Sequence, residues 1–432
     1  MKNYKIGLLG FGTIGAGVVE GIERNGALIA SRTDVELSLN MLADLDLETD
    51  RGVTVDRKRM TTDALKVVES PDTDIVVELI GGTGIARDLI LRALSLGKPV
   101  VTANKALLAE HGEEIYRAAY EHNTDVFYEG SVGGGIPVIR ALREGLVANE
   151  IERIYGILNG TCNYILTSME QDGVPFDQVL AEAQAEGFAE ANPGLDIDGI
   201  DTSHKAVILA ALAYGKQVPL SMVTIRGIRG LEITDIQYAS ELGYRIKLLA
   251  VIKYDEGEVE IGVYPALVPM DHMLASVSGV FNAVMVSGDV VGDTLYYGRG
   301  AGRKPTASAV LGDIVDAARN LAFSSHRRVP AFTEHALYER IRPHEDIRTR
   351  YYLRVSLLDK PGMIARVAGI LGAQEISIAS IIQKECEVGC HAPVIILTHT
   401  AQERQFQAAL QQIDALSEVD RPTVRLRIED FK

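Results

Sequence analysis

The sequence predicts an α/β protein. It opens on a doubly wound parallel sheet, continues as an α+β region and ends in a ferredoxin-like βαββαβ unit. Three observations lead there. Residues 1–130 alternate short apolar runs with helical patterns, residues 131–304 lose that alternation, and residues 351–432 restart a compact pattern. The boundaries follow as 1–130, 131–304, a linker over 321–350, and 351–432, with a helix over 305–320 expected to pack back onto the first sheet.

In the first region Tyr4 to Leu9 reads as a strand, Ile14 to Asn25 as a helix and Val35 to Ala43 as a second strand. Thr62 to Glu69 is helical, Ile75 to Ile80 a strand, Ile85 to Leu96 helical and Pro99 to Val101 a fourth strand. Ala106 to His122 is helical, and Val126 to Glu129 is a fifth strand. Beyond Ser131, Ile151 to Leu158 is a strand and Val207 to Tyr214 an apolar helix. Ile246 to Tyr254 and Val259 to Pro265 form an antiparallel pair joined through Asp255 to Glu258. Pro305 to Arg319 is an amphipathic helix with proline near its start. The last region reads as strand (Tyr352 to Leu357), helix (Met363 to Gln374), strand (Ile376 to Lys384), strand (Ala392 to Thr398), helix (Arg404 to Leu416) and strand (Val424 to Ile428).

The formal net charge of -16 argues against nucleic acid and against an anionic membrane surface as partners, since both need clustered Lys and Arg. No apolar run is long enough to span a bilayer, and no signal peptide is evident. Three cysteines do not make a disulfide framework, which points to a reducing cytoplasm.

Gly10-Phe11-Gly12-Thr13-Ile14-Gly15 follows the first strand and opens the first helix. Gly10 permits a tight turn, Gly12 lets backbone N–H groups reach a pyrophosphate, and Gly15 allows close helix–strand packing. In this position the motif indicates a Rossmann-type dinucleotide site; the bland alternative is a glycine turn without a ligand. Asp44 ends the second strand, where a carboxylate accepts from ribose hydroxyls and repels a 2′-phosphate, favouring NAD over NADP. A merely solvated carboxylate is the alternative, because Arg51, Arg57, Lys58 and Arg59 follow and could meet a 2′-phosphate.

Thr102-Ala103-Asn104-Lys105 closes the fourth strand, at the carboxyl end that faces the ligand crevice in such sheets. Residues 187–205 concentrate Glu190, Asp196, Asp198, Asp201 and Lys205 around a Pro-Gly turn. Asp201 and Lys205, four apart, share a helix face. A surface ion pair contributes only about 0.3–0.5 kcal/mol, so stability is a poor reason for the cluster.

These segments carry a resemblance. TANKALLA, NGTCNYIL (Asn159 to Leu166), GFAEANPGLDIDGIDTSHK, EGSVGGGIPVI (Glu129 to Ile139) and GAGRKPTASAV (Gly300 to Val310) resemble the signatures of homoserine dehydrogenases, in order, from Tyr4 to about Asn320. The resemblance implies NAD(P)-dependent interconversion of L-homoserine and L-aspartate 4-semialdehyde, with hydride transfer at C4. It implies Lys205 as acid/base, Lys105 as substrate ligand and helper at the reacting oxygen, and Asp201 in the catalytic network. Glu190 would hold the α-ammonium, Asp196 would complete the polar network, and Gly160 and Thr161 would meet the carboxylate. Two neighbouring ammoniums lower each other's pKa toward a useful range. Cofactor contacts are implied at Gly10, Phe11, Gly12, Thr13, Ile14, Gly15, Asp44, Thr102, Lys105 and Gly302. A monovalent cation, usually sodium, is implied at Glu129, Val132, Gly134 and Ile136, where one carboxylate and main-chain carbonyls suit a hard cation. A capping glutamate in a glycine turn is the alternative. Two departures stand out: Phe188 replaces a common tyrosine, and GGTGIAR (Gly81 to Arg87) lacks the usual proline.

Asp359-Lys360-Pro361-Gly362 and the helix ending before Ile376-Ser377-Ile378 resemble an ACT domain, which implies an amino-acid effector, threonine being the expected one. The alternative is a dimerisation module that binds nothing. The resemblance also implies a homodimer or homotetramer in the threonine, methionine and isoleucine branch of the aspartate pathway, without a kinase domain. Cys162 reads as a small buried residue. Cys386, Cys390 and His391 fit a metal or haem motif poorly. Another Rossmann oxidoreductase of saccharopine or diaminopimelate type, or a dead sensor retaining the ACT fold, would explain less of residues 187–205.

Overall fold

The computed structural model describes residues 2–335, 337–385 and 390–431. Backbone contacts divide the chain into two compact units. The first holds Met1–Leu158, Ser203–Ser221 and Phe281–Leu337; the second holds Asn159–Thr202, Met222–Val280 and Tyr338–Lys432.

The first unit begins with strand β1 (Lys2–Leu9) and helix α1 (Thr13–Thr33). Strands β2 (Val35–Ala43) and β3 (Met60–Thr61), helix α2 (Ala64–Glu69) and strand β4 (Ile75–Glu78) follow. Helix α3 (Ile85–Ser95), strand β5 (Val100–Thr102), helix α4 (Lys105–Glu121) and strand β6 (Val126–Phe127) complete the alternation. The strands are parallel in the order β3-β2-β1-β4-β5-β6, the doubly wound order that leaves a crevice beside β1. Helix α1 passes the expected stop at Asn25 because Ile29, a turn beyond it, still packs on the core. It ends at Asp34, whose left-handed backbone sends its N–H to Ala30 O. The fifth expected strand stops at Phe127, because Glu129–Ser131 turns as a 3-10 helix held by Ser131 N–H to Tyr128 O.

Helix α5 (Val138–Arg140) and strand β7 (Ile151–Ile157) come next. The second unit holds helices α6 (Gly160–Asp172), α7 (Phe176–Ala185) and α8 (Gly194–Ile197); helix α9 (Ile200–Tyr214) starts there and belongs from Ser203 to the first unit. Strand β8 (Thr224–Ile225), helix α10 (Ile233–Glu241) and the hairpin β9 (Tyr244–Asp255) and β10 (Glu258–Pro269) follow. The hairpin turns on Glu256 and Gly257, both at positive φ (49° and 83°), the geometry that matches strand twist. Back in the first unit, β11 (Phe281–Gly288) pairs with β7 and with β12 (Gly292–Arg299). Helix α11 (Arg303–Ala322) lays Val310, Ile314, Ala317 and Ala318 on the parallel sheet, in one core with Ile6, Leu8 and Val18.

The stretch read as a linker is bonded at several of its described residues. Arg143 donates to Val329 O and Pro330 O, and the Tyr128 hydroxyl to Ala331 O. Strand β13 (Arg340–Ile341) joins β10. The last region is β14 (Arg348–Leu358), α12 (Met363–Ala373), β15 (Ile378–Gln383), β16 (His391–Thr398), β17 (Ala401–Gln402), α13 (Glu403–Asp414) and β18 (Val424–Ile428). Its sheet runs β18-β14-β16-β15, the ferredoxin-like arrangement expected. It does not stand alone: β18 pairs in parallel with β10, Ala266 opposite Arg427, so one sheet continues from the β9–β10 hairpin. Buried charge crosses the same seam. Arg354 is bidentate on Asp235 at 2.7 and 3.0 Å, and Glu429 accepts from Lys253 and Tyr264.

No helix among the described residues is long and apolar enough to cross a membrane. Cys162 is buried and reduced, whereas Cys390 is disulfide-bonded, a departure from the expectation of unpaired thiols. Cys386 lies outside the described residues.

Candidate functional site

At the carboxyl ends of β1 and β2 the glycine motif forms a cradle. Gly10 sits at φ 95°, and a Cβ on Gly15 would come 2.1 Å from Gly10 O, so helix and strand meet too closely for a side chain. A Cβ on Gly12 would meet nothing within 4 Å, and no side chain caps α1 at Gly12. Thr13, Ile14 and Gly15 therefore present first-turn N–H groups without an intrahelical acceptor, as a pyrophosphate requires. A cavity of about 570 Å³ opens beside it, lined by Gly10, Gly12, Asp44, Leu79 and Ile80 among others. The residues present thus fit a dinucleotide. Asp44 accepts from Phe11 N–H at 2.5 Å and from Asp46 N–H at 2.9 Å, so it holds the loop as well as facing the crevice. Arg51 lies 4.0 Å from Asp44 and over the Phe11 ring at 5.3 Å.

The loop after β4, which lacks the family's proline, is fixed by Glu78, a residue that sequence reasoning missed. Glu78 is wholly buried; it accepts from Ile80 and Gly81 N–H and, at 2.6 Å, from the Thr102 hydroxyl. Thr102, expected as a cofactor contact, thus also braces this loop. Asn104 ties the same loop through Gly82 O and caps α4 through Leu107 N–H, which places Lys105 in the first position of that helix. Lys205 is 8% exposed and donates to Leu158 O at 2.7 Å. Gly302 is the residue before α11, at φ 117°.

Glu129 is buried, and both of its carboxylate oxygens accept N–H groups, from Ile139 at 3.0 Å and Arg140 at 2.8 Å. The carboxylate is therefore engaged as a cap. Among the described residues there is no cluster of three or more His, Cys, Asp or Glu that could hold a metal. Asp313 of α11 accepts from Glu129 N–H at 2.7 Å; burial, then the charge of Glu129, pushes its pKa up to about 8. Gly134 is required, since a Cβ would approach Gly300 O to 2.4 Å.

The second unit holds the remaining site residues. Asn159, also missed, is the node. Its Oδ1 caps α6 at Cys162 N–H, while Nδ2 donates to Asp196 at 2.7 Å and to Asp201 at 3.0 Å. Two carboxylates are thereby held together by one amide. Gly160 and Thr161 open α6, and the Thr161 hydroxyl donates to Phe188 O. Glu190 is exposed; its carbonyl accepts from Gln184. Phe188 packs its ring at 5.0 Å from Tyr164. Asp198 is engaged by Arg229. Cys162 donates to Asp196 O, a structural role in keeping with its burial. Of the sequence-predicted residues, Lys105, Lys205, the cradle and the Glu129 loop fall in the first unit; Gly160, Thr161, Glu190, Asp196 and Asp201 fall in the second.

Comparison with known proteins places the chain in a family. The family model of the homoserine dehydrogenase NAD-binding domain matches residues 10–129, that of homoserine dehydrogenase matches 137–315, and that of the ACT domain matches 351–418. The homoserine dehydrogenase of Pseudomonas aeruginosa is 46% identical over 100% of both chains. The crystal structure of a homoserine dehydrogenase from Thiobacillus denitrificans superposes with a TM-score of 0.92 at 44% identity, covering 100% of this chain and 99% of that one. A hyperthermophilic archaeal homoserine dehydrogenase mutant in complex with NADPH gives a TM-score of 0.61 at 29% identity over 73% of this chain and 98% of its own. The chain belongs to the homoserine dehydrogenase family, with a nicotinamide-dinucleotide domain at its start and an ACT domain at its end.

Proposed function

We propose that the chain interconverts L-homoserine and L-aspartate 4-semialdehyde, with Lys205 as the proton-transfer group. The observation that carries this is Lys205 itself: a nearly buried amine, anchored on Leu158 O, one helical turn after Asp201. In oxidation its neutral amine takes the proton of the C4 hydroxyl; in reduction the ammonium returns it. The nicotinamide ring supplies the hydride acceptor or donor. Lys105, at the start of α4, binds the substrate near the reacting oxygen. Glu190 pairs with the α-ammonium. Gly160 and Thr161 receive the carboxylate at the N-terminus of α6, while Asp196 and Asp201 keep the pocket polar. Gly10 to Gly15, Asp44, Thr102, Lys105 and Gly302 hold the dinucleotide, NAD in preference to NADP, and main-chain oxygens at Glu129, Val132, Gly134 and Ile136 hold sodium.

The enzyme works in the cytoplasm, in the branch toward threonine, methionine and isoleucine, as a homodimer or homotetramer. Residues 1–130, 131–304, 321–350 and 351–432 serve as cofactor, substrate, connecting and regulatory parts. Threonine acts at the ACT domain, where Gly362 (φ 89°) starts α12. The deciding experiment is L-homoserine oxidation by wild type and Lys205→Ala, followed by cofactor reduction. Positioned acid/base groups contribute about 10²–10⁴-fold, so a fall in kcat smaller than about tenfold removes Lys205 from the role.

A further inference from the structure

A second charged site lies in the second unit, away from every residue assigned above. Beside β8, β10, β14 and β18 is a cavity of about 190 Å³ lined by Arg226, Arg425, Arg427, His344, Tyr351 and Glu403 among others. A water occupies about 30 Å³ of liquid, so the space suits a small solute better than one solvent molecule. Its charges do not balance. Glu403, 3% exposed, is taken up by Arg427 at 3.0 Å, by the Tyr351 hydroxyl at 2.7 Å and by His344 at 3.3 Å. Arg427 has a second carboxylate, Glu260, at 3.5 Å and lies over the Tyr264 ring. Arg226 and Arg425 are left over. Arg425 reaches Glu403 only at 3.5 Å, and its buried Nη1 lacks a hydrogen-bond partner; Arg226 donates a long 3.4 Å bond to Arg425 O.

Two guanidiniums side by side in a confined space are costly unless an anion joins them. Their mutual effect is visible: burial first, and the Arg425 charge next, pull Arg226 down to about 10. Guanidinium forks match the oxygens of a tetrahedral or planar oxyanion, and two of them match a double charge. His344, with a side chain 42% exposed, stands where a solute could enter.

We infer that this cavity binds a small doubly charged oxyanion of the phosphate class, bridging Arg226 and Arg425. Its lining includes neither the residues of the dinucleotide cradle nor the ACT turn at Gly362, and it does not depend on the activity proposed above. It lies where β18 of the last fold meets β10, so occupancy strengthens that seam.

The test is thermal unfolding and calorimetric titration of the full-length chain at low ionic strength, with inorganic phosphate, methyl phosphate or chloride at matched ionic strength. Wild type is compared with Arg226→Gln, Arg425→Gln and the double variant. Phosphate should raise the wild-type melting temperature where chloride does not. Each single substitution should weaken binding about tenfold or more, the effect of losing a charge-assisted contact. Without phosphate, Arg226→Gln should melt no lower than wild type, because it relieves repulsion; a purely structural arginine would lower it. Tighter binding of methyl phosphate assigns the site to a phosphomonoester, and tighter binding of phosphate to the free ion. If both phosphates act like chloride, or bind the double variant as well as wild type, the inference is overturned.

Discussion

Asn159→Asp separates the polar network from the helix it caps. Aspartate is as good an N-cap as asparagine, so the bond from Cys162 N–H survives and α6 is kept. What changes is Nδ2, which now donates to Asp196 and Asp201. The variant replaces that donor with a third carboxylate facing two others. Coulomb repulsion at ~3 Å with an effective dielectric near 20 is about 5 kcal/mol per pair, too much to persist. The cluster escapes by binding a proton. At pH 7 that costs about 4 kcal/mol, three pH units above an ordinary carboxylate at 1.36 kcal/mol each. The sign follows from linkage: a carboxyl whose folded pKa is raised holds a proton that the unfolded chain has lost, so the variant loses stability as pH rises. Its deficit should shrink by about 1.4 kcal/mol per unit from pH 7 to pH 5, leaving roughly 1–2 kcal/mol. Urea unfolding of both proteins at pH 5, 6 and 7 measures this, with kcat/KM for homoserine at each pH. Asn159→Ser, which caps without adding a third carboxylate, should show a deficit that varies with pH less than that of Asn159→Asp. A pH-independent deficit for Asn159→Asp, or kcat/KM within threefold of wild type at pH 7, would refute the network as drawn.

Other outcomes follow from single contacts. Glu190→Gln should raise KM for homoserine by at least tenfold while leaving KM for the dinucleotide nearly unchanged, since it loses an ammonium pairing; equal changes in both constants count against it. Initial rates at matched concentrations should favour NAD over NADP, and Asp44→Ala should narrow the difference while also loosening the loop that Phe11 N–H anchors; a clear NADP preference in wild type rejects the reading of Asp44. Asp313, with a folded pKa near 8 against 3.8 for the free side chain, contributes stability that is full below pH 4 and lost as pH rises through 8. Asp313→Asn keeps the acceptor for Glu129 N–H, so it should be near neutral at or below about pH 4 and melt increasingly higher than wild type as pH rises toward 8, the gain being full at pH 9. Equal melting temperatures at pH 9 would show that Asp313 ionises normally.

Much of this was legible in the residues. The strand–helix alternation around Gly10, the 3.6-residue stripes of α3 and α4, and the boundaries of β2 and β18 follow from apolar spacing, a local property. The hairpin at Glu256-Gly257 follows from turn chemistry. What escaped were buried polar residues whose meaning depends on distant partners. Glu78 looks like the tail of an apolar strand until Thr102 and the Gly81 turn close on it. Asn159 is only the first residue of a family segment in the sequence; the fold shows it capping α6 and its amide shared by Asp196 and Asp201. Asn25-Gly26 signals a stop, but Ile29 carries α1 onward because burying it outweighs the local preference. The seam between the last fold and β10 escaped for the same reason. Its apolar pattern is self-contained, while Arg354 and Glu429 are satisfied outside it and Arg427 is shared between Glu403 within and Glu260 outside.

The pairing of β10 with β18 also sets an order of events during synthesis. Ala266 leaves the ribosome long before Arg427, the residue it faces. Until then β10 carries an open edge over the seam, and Asp235 and Lys253 wait without Arg354 and Glu429. Contacts this remote in sequence form late and slowly, and an unpaired edge is exposed to other chains meanwhile. A message cut short before codon 424 would thus yield more than a chain lacking its last strand. It would yield a chain with an unfinished sheet and uncompensated buried charge, a substrate for chaperones and proteases. The C-terminal strand therefore acts as a proof of completeness, coupling full-length translation to a stable second unit.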